Sequence, residues 1–246
     1  MLLQYFPQVK GLSLMYLANP AVSASVSCMD IGNLQADIRK VEASDISFFH
    51  YDVVDGSFNK CYILGDIAYQ YLKKNSKLPV ELHLAVDDPE PYINAFARYG
   101  ADYIAVHYEA MKDPEKVFQA IRAAGAVPVL AYRAETAPDE KFAALAEQCA
   151  WILKLTVEPG FAGQKIQPEA IKHIWQMSAI LKKNHSSVRI QADGNVNCET
   201  IKMLRDAGAT IFTGGTSGLF KREQSIQKNL KELLIAAGYC EKTRGE

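Results

Sequence analysis

The sequence predicts an α/β fold, a single (β/α)8 TIM barrel. Short apolar segments typical of strands alternate with amphipathic helical patterns, and there are eight of each along the 246 residues. No Pro/Gly/Ser-rich linker interrupts this alternation, so one domain accounts for the chain more simply than two. We assign residues 1–20 to an N-terminal extension, 21–240 to the barrel and 241–246 to a solvated tail.

The strands are expected where apolar and β-branched residues cluster. We predict them at Val22–Ser27, Ser47–Tyr51, Val80–Leu84, Tyr103–Val106, Val127–Tyr132, Trp151–Val157, Val188–Ala192 and Thr210–Thr213. Helical spacing of apolar residues predicts the intervening helices at Ile31–Glu42, Gly65–Lys74, Pro89–Tyr99, Pro114–Ala124, Glu140–Gln148, Pro168–Lys183, Asn197–Ala207 and Gln224–Ala237.

Several helix ends carry local signals. Asp88 and Asp113 each precede a Pro-Glu pair, which is typical of a helix start. Gly100, Gly125 and Gly208 stand where a helix should stop and a strand begin. These signals support the alternation of helices and strands.

The composition excludes several classes of protein. Hydrophobic residues make up 49% and the formal net charge is −1, so neither nucleic acid nor an anionic membrane is an expected partner. No apolar run reaches the ~20 residues that span a bilayer, and the start of the chain lacks a signal-peptide pattern. The five cysteines are scattered without a Cys-x-x-Cys spacing. We therefore expect reduced thiols and a cytoplasmic location.

Metal-ligand residue types recur at the ends of three predicted strands. His50 and Asp52 lie two residues apart, so they share one face of a strand. His83 and Asp193 end two later strands in the same way. A lone His-x-Asp is more often a hydrogen-bonded pair, but strand ends meet at one rim of a barrel. Two imidazoles and two carboxylates there suit Zn²⁺, Fe²⁺, Mn²⁺ or Co²⁺.

The same rim carries two glycine-bearing loops, residues 158–164 and 213–218. Late loops of such barrels often hold phosphate through backbone N–H groups and a helix N-terminus. Beside a divalent cation, which polarises a ketone and stabilises an enediolate, they predict a phosphorylated ketose as substrate. A carboxylate on each face of the planar intermediate would allow epimerisation next to the carbonyl.

With these residues in view, the chain closely resembles the ribulose-phosphate 3-epimerase family from about Ser23 to about Phe220. The segments that match are Ser25-Val26-Ser27-Cys28-Met29-Asp30, His50-Tyr51-Asp52-Val53-Val54-Asp55-Gly56, His83-Leu84, His107-Tyr108-Glu109-Ala110, Thr156-Val157-Glu158-Pro159-Gly160-Phe161-Ala162-Gly163-Gln164 and Asp193-Gly194. The resemblance implies a barrel of the ribulose-phosphate-binding type that inverts C3 of D-ribulose 5-phosphate to give D-xylulose 5-phosphate.

The resemblance also implies roles for residues. One divalent metal ion would be held by His50, Asp52, His83 and Asp193, with Asp52 and Asp193 as the catalytic acid/base pair. Ser25 and His83 would contact the sugar. The phosphate loops would comprise Gly160, Phe161, Ala162, Gly163, Gly194, Asn195, Gly215 and Thr216. For His107, a site role and core hydrogen bonding stay equally open. We expect a homo-oligomer.

The chain also departs from the family pattern. The family usually has Met around the metal pocket where this chain has Val54, Ala85 and Leu155. Other departures are Asn59-Lys60-Cys61 for Val-Pro-Asn, Tyr132-Arg133-Ala134 where Asn-Pro is common, and Asn195 for a second Gly. Cys28-Met29-Asp30 and residues 215–220 look more like D-allulose-6-phosphate 3-epimerase, and a smaller Ala85 predicts room for one more carbon. D-allulose 6-phosphate and D-fructose 6-phosphate are thus the alternative substrate pair.

Three rival functions have different signatures. Lys154 in the sixth predicted strand would suit a Schiff-base aldolase, in which a lysine amine forms an imine with a ketose. The alternation of strand side chains, however, places Leu155 toward the pocket. Lys154 should then face the helices, with a carboxylate as its partner. A phosphosugar decarboxylase would need an Asp-x-Lys-x-x-Asp pattern, which is missing. A non-catalytic sugar-phosphate-binding homologue is the remaining alternative, because the pocket residues differ.

Overall fold

A computed structural model of the protein describes residues 17–160 and 163–239. Its strands are β1 (Ala21–Ser25), β2 (Phe48–Asp55), β3 (Tyr62–Ile63), β4 (Val80–Ala85), β5 (Tyr103–His107), β6 (Val127–Tyr132), β7 (Trp151–Leu155), β8 (Arg189–Asp193) and β9 (Ile211–Gly214). All except β3 pair in parallel in the order β1-β9-β8-β7-β6-β5-β4-β2, and β2 pairs with β1 to close the ring. The predicted eight-stranded (β/α)8 TIM barrel is confirmed.

Helices alternate with the barrel strands as predicted. They are α1 (Leu34–Glu42), α2 (Asp66–Asn75), α3 (Glu90–Ala97), α4 (Pro114–Ala123), α5 (Phe142–Ala146), α6 (Pro168–Lys183), α7 (Ile201–Ala207) and α8 (Ile226–Ala236). No helix in the described residues is long and apolar enough to cross a membrane. The N-terminal extension up to residue 16 and the predicted tail at 241–246 lie outside the described part of the chain.

The barrel has an inner and an outer core because strand side chains alternate in direction. Phe48, Leu153 and Ile211 pack inside the ring, with other alternate strand residues. Their neighbours Phe49 and Ile152 pack against the helices in a larger outer core. Filling both faces of the sheet in this way is typical of a barrel whose site lies at the carboxyl ends of the strands.

Several element boundaries differ from the prediction by a few residues, and two of these differences have clear local reasons. β2 continues to Asp55, four residues beyond Tyr51, because Val54 pairs with Ala85 of β4 and with the short antiparallel strand β3, which was not predicted. α7 begins at Ile201 instead of Asn197. The Asn197 side chain accepts hydrogen bonds from the N–H groups of Glu199 and Thr200, which forms a turn before the helix.

The helix-end signals are mostly confirmed. Gly100, Gly125 and Gly208 all adopt positive φ after their helices. Asp113 caps α4 by accepting a hydrogen bond from the N–H of Lys116. At α3 the N-cap position is Pro89 rather than Asp88, although the Asp88 side chain accepts a hydrogen bond from the N–H of Glu90, the first helical residue, at 3.4 Å.

Candidate metal centre and pocket

The four predicted ligands converge at the carboxyl-end rim of the barrel. His50 and Asp52 both project from one face of β2, and the pairing of β2 with β4 sets Asp52 directly opposite His83. Asp193 ends β8. One ligand atom from each of the four side chains lies within 4.8 Å of all the others. The sequence thus brings together a candidate metal centre from three separate strands.

The two imidazoles present one nitrogen each to the carboxylates. His50 Nε2 lies 2.8 Å from Asp52 Oδ1 and 3.4 Å from Asp193 Oδ2. His83 Nδ1 lies 2.9 Å from Asp52 Oδ1. The other Asp52 oxygen accepts hydrogen bonds from the Ser27 and Ser25 hydroxyls, at 3.1 and 3.4 Å. Each ligand side chain is therefore oriented by at least one neighbour.

A buried carboxylate, Glu81, supports His50 from inside the barrel. The Nδ1–H of His50 donates to Glu81 Oε2 at 2.6 Å. Glu81 is fully buried and also accepts hydrogen bonds from Trp151 Nε1 at 2.8 Å and from Gln191 Nε2 at 2.9 Å. A carboxylate on the second nitrogen of an imidazole fixes the tautomer that leaves Nε2 free to bind a cation.

The electrostatics of the site are dominated by this cluster. Burial alone would raise the pKa of the Asp52 carboxyl, but His50 and His83 outweigh burial and hold that pKa below its usual range. Burial opposes charge on His50 as well, yet Asp52 and Asp193 raise the pKa of His50 well above its usual value. A cation bound between the two carboxylates would displace the His50 proton.

The residues fit a divalent transition-metal ion. Two imidazole nitrogens and two carboxylate oxygens in one compact group are the donors that Zn²⁺, Fe²⁺, Mn²⁺ and Co²⁺ accept. Asp52 and Asp193 are largely withdrawn from solvent, with side chains 16% exposed. Two anionic groups this close are stabilised by a positive ion between them.

A cavity of about 450 Å³ opens above the candidate centre. It is lined by Asp52, Asp193 and the predicted substrate residues of the described chain, namely Ser25, His83, Gly160, Gly163, Gly194, Asn195, Gly215 and Thr216. Phe161 and Ala162, which complete the predicted phosphate loop, lie outside the described residues. The predicted catalytic and phosphate-loop residues that are described, and all the predicted metal ligands except the fully buried His50, therefore border one space.

The loop after β8 needs glycine at position 194. Gly194 has φ +117°, a backbone conformation that side chains rarely allow. A Cβ there would lie 2.6 Å from Val157 Cγ2 and 2.8 Å from Thr156 Oγ1. The side chain of Thr156 donates to the Gly194 carbonyl at 2.6 Å, which ties the loops after β7 and β8 together beside the pocket.

Ala85 does not widen the pocket as the sequence suggested. It is fully buried and packs with Val54 and Phe58, outside the cavity lining. The Phe58 side chain, which comes from the loop after β2, packs in the space beside the small Val54 and Ala85 side chains. Val54 and Leu155 do line the cavity.

Lys154 faces away from the pocket, in agreement with strand alternation. Its Nζ donates to the backbone carbonyl oxygens of Arg133 and Thr136. The expected carboxylate partner was therefore wrong: two carbonyl groups of the loop after β6 take its place. Burial lowers the pKa of Lys154 to about 7. No substrate carbonyl bound in the pocket would reach this amine, since Lys154 does not line the cavity.

Some site residues were not recognised from the sequence. Ser27, Tyr62, Gln164 and Ser217 also line the cavity. Glu81 had a usable signal, because it stands two residues before His83 on a strand and so shares its face. Tyr62 had none, since it belongs to β3, whose two residues form a strand only through pairing with β2.

His107 is fully buried beside the candidate centre, 2.8 Å from His83 between the Nε2 atoms. Burial lowers the pKa of His107 to about 4, so its imidazole is neutral at ordinary pH. The sequence left a site role and core hydrogen bonding open for this residue. The structure shows hydrogen bonding to a candidate ligand.

The fold and the site together define an α/β-barrel protein with a candidate His2Asp2 metal centre beneath a pocket bordered by glycine-bearing loops. The family model described as "Ribulose-phosphate 3 epimerase family" matches residues 21–220. The chain belongs to the ribulose-phosphate 3-epimerase family, whose members are isomerases.

Named relatives cover most of the chain. Ribulose-phosphate 3-epimerase of Methanocaldococcus jannaschii is 34% identical over 88% of this chain and 92% of its own length. The Eremothecium gossypii enzyme is 31% identical over 90% and 98%. A relative from Oryza sativa, named as a cytoplasmic isoform, is 30% identical over 80% and 86%.

Solved structures support the fold alone. A mutant tryptophan synthase α-subunit from Pyrococcus furiosus superposes with a TM-score of 0.61 at 14% identity, covering 89% of this chain and 99% of that one. Identity this low carries no information about activity.

Proposed function

We propose that the protein is a metal-dependent ketose-phosphate 3-epimerase that interconverts D-ribulose 5-phosphate and D-xylulose 5-phosphate. The observation that carries this proposal is the pair of carboxylates, Asp52 and Asp193, which reach one candidate metal centre from β2 and β8 and both line the pocket. An epimerase that inverts a carbon next to a ketone needs one base on each face of a planar intermediate.

The two aspartates divide the proton transfers. One carboxylate takes the proton from C3 of the ketose, and the other returns a proton to the opposite face of the same carbon. Asp52 is held for this task by hydrogen bonds from Ser25 and Ser27 on one oxygen and by the imidazoles on the other. In the reverse direction the roles exchange, as reversibility requires.

The bound divalent cation would polarise the C2 carbonyl and stabilise the negative charge of the enediolate. His50 and His83 would hold it together with the two aspartates. Ser25 would contact the sugar hydroxyls. Because His50 and His83 are buried, these side chains keep fixed orientations when the substrate enters.

The phosphate would bind at the glycine-bearing loops, at Gly160, Phe161, Ala162, Gly163, Gly194, Asn195, Gly215 and Thr216. Among the described residues, no Lys or Arg side chain lines the cavity. Backbone N–H groups and hydroxyls, including those of Thr216 and Ser217, would therefore bind the phosphate.

D-Allulose 6-phosphate, the hexulose epimer of D-fructose 6-phosphate, is the second candidate substrate. It is supported by Cys28, which lines the cavity and lies in the segment that looks like the hexulose-phosphate enzyme. We also propose that the protein acts in the cytoplasm as a homo-oligomer. The cytoplasmic location is supported by the free thiols at Cys28, Cys61, Cys149 and Cys198.

The test follows hydrogen exchange at C3. The full chain, loaded with a divalent cation, is incubated with each ketose phosphate in deuterated water, and ¹H NMR records loss of the C3 hydrogen and formation of the epimer. Asp52→Asn and Asp193→Asn should each slow turnover by about 10²–10⁴-fold. Asp206→Asn, a change at an exposed residue away from the pocket, is the control.

Two results would contradict the proposal. Binding of either ketose phosphate without exchange of its C3 hydrogen would identify a non-catalytic sugar-phosphate-binding protein. Substantial turnover by an Asp52→Asn or Asp193→Asn variant would contradict the two-base scheme. Faster exchange with allulose 6-phosphate than with ribulose 5-phosphate would favour the hexulose reaction.

A further inference from the structure

One buried side chain, His107, connects the candidate ligand His83 to a carboxylate that no part of the proposed reaction uses. His107 ends β5, and its Nε2 lies 2.8 Å from His83 Nε2. On the other side of the same ring, His107 Nδ1 lies 3.2 Å from Glu109 Oε2. The order of groups is therefore His83, His107 and Glu109, joined by two hydrogen bonds.

The positions of the protons in this series follow from the candidate metal centre. His83 Nδ1 faces Asp52 at 2.9 Å, so Nδ1 is the nitrogen that would bind a cation and must carry no proton. A neutral imidazole then keeps its proton on Nε2, from which it donates to His107 Nε2. His107 accepts there, so its own proton is on Nδ1 and is donated to Glu109.

We propose that His107 and Glu109 are positioning residues that fix the tautomer and ring orientation of His83 and so raise the affinity of the centre for a divalent cation. This inference rests on the proposed metal-dependent function. Glu81 provides the same support for His50 by a direct hydrogen bond of 2.6 Å. Each of the two candidate ligand imidazoles is thus connected to a carboxylate. His50 contacts Glu81 directly, and His83 is linked to Glu109 through His107.

Neighbouring groups hold the series in place. The backbone N–H of Arg133 donates to Glu109 Oε1 at 2.8 Å, which leaves Oε2 for His107. The Phe58 ring lies against the His107 ring with centroids 4.6 Å apart. The Arg133 guanidinium covers the Phe58 ring, with its carbon 3.6 Å from the centroid. The two hydrogen bonds therefore fix the orientation of the His107 ring within its plane, and the contact with Phe58 restrains the ring from its face.

The first experiment reads the tautomer directly in the unaltered protein. The full chain is labelled with ¹⁵N-histidine and loaded with Zn²⁺, and long-range ¹H–¹⁵N spectra assign the protonated nitrogen of each imidazole. His107 should carry its proton on Nδ1, with Nε2 unprotonated. A proton on His107 Nε2 would overturn the proposal, because that nitrogen then has no lone pair for the His83 N–H.

The second experiment measures Zn²⁺ affinity of the full chain by competition with a chromophoric chelator, in the absence of substrate. His107→Phe should weaken binding about tenfold to hundredfold, as loss of outer-shell partners typically does. Glu109→Gln, which keeps an acceptor but loses the charge, should weaken it less. The matched control is His173→Phe, since His173 is also buried but donates to the Ala134 carbonyl, away from the ligands.

The outcomes separate this inference from the proposed function. Wild-type affinity in a folded His107→Phe variant would overturn the role of His107 while leaving the metal-dependent epimerase intact. No Zn²⁺ binding by the wild-type chain would refute the metal centre and this inference together. Should His107→Phe fail to fold, the tautomer in the wild-type protein decides the question alone.

Discussion

Replacing Glu81 by Gln should destabilise the barrel as well as the candidate metal centre. Glu81 is fully buried and accepts three N–H groups, from His50, Trp151 and Gln191. A glutamine at this position keeps one acceptor oxygen and presents an NH₂ group to the remaining donors. At least one buried donor is then left unpaired, and each unpaired donor costs about 1–3 kcal/mol.

We therefore expect Glu81→Gln to lower the free energy of unfolding of the metal-free protein by about 2–4 kcal/mol. The assay is urea denaturation of the full chain in the presence of a chelator, followed by circular dichroism. Trp151→Phe is the comparison, because it removes one donor to Glu81 and leaves His50 and Gln191 in place. That variant leaves the buried Glu81 Oε1 without its donor, which costs about 1–3 kcal/mol, but it keeps the hydrogen bond between Glu81 and His50.

A Glu81→Gln variant within about 0.5 kcal/mol of wild type would refute this reasoning, because surface substitutions cause changes of that size. It would mean that the three donors find other acceptors at the centre of the barrel. A lower Zn²⁺ affinity with unchanged stability would restrict Glu81 to the orientation of His50.

Three further predictions concern other parts of the site. Gly194→Ala should lower the free energy of unfolding by about 2–4 kcal/mol in denaturant titrations, because φ is +117° and a Cβ would lie 2.6 Å from Val157 Cγ2. Gly65→Ala is the control and should not lower it in this way, because the space around a Cβ at Gly65 is open. Equal stability of the two variants would contradict this. Removal of the metal with a strong chelator should abolish C3 exchange, and adding back a divalent cation should restore it; exchange that persists after verified metal removal would contradict the metal-dependent scheme. For Lys154, burial lowers the pKa to about 7 in the folded chain, so the unfolded chain binds more protons above that pH. Wild-type stability should therefore rise relative to Lys154→Met as the pH increases from 7 to 10, by at most about 1.4 kcal/mol per pH unit, and parallel curves would show that Lys154 titrates normally.

Strand periodicity was sufficient to predict the candidate ligands. His50 and Asp52 share a face because strand side chains alternate. A barrel brings strand ends to one rim, so His83 and Asp193 could be assigned to the same candidate centre from the sequence. Glycines at helix ends and apolar runs likewise predicted the order of the barrel strands and helices.

Long-range contacts were beyond the sequence pattern. That Phe58 packs against Ala85 depends on how the loop after β2 folds back, and periodicity says nothing about loops. The partner of Lys154 was wrong for a similar reason, since carbonyl groups of an irregular loop leave no trace in residue type. The His83–His107 contact required the lateral register of β4 and β5, which only the folded sheet defines.

The position of Glu81 has a consequence for how the molecule assembles. Its hydrogen-bond partners come from β2, β7 and β8, while β1 and β9 complete the ring between β2 and β8. The candidate metal ligands are thus contributed by early and late parts of the polypeptide, and a nascent chain that ends before β8 lacks Asp193 and Gln191. Tight ion binding would therefore report that β8 has joined β2 and β4 around the site, and a chain truncated before β8 would be distinguished from the finished protein by its failure to retain the ion.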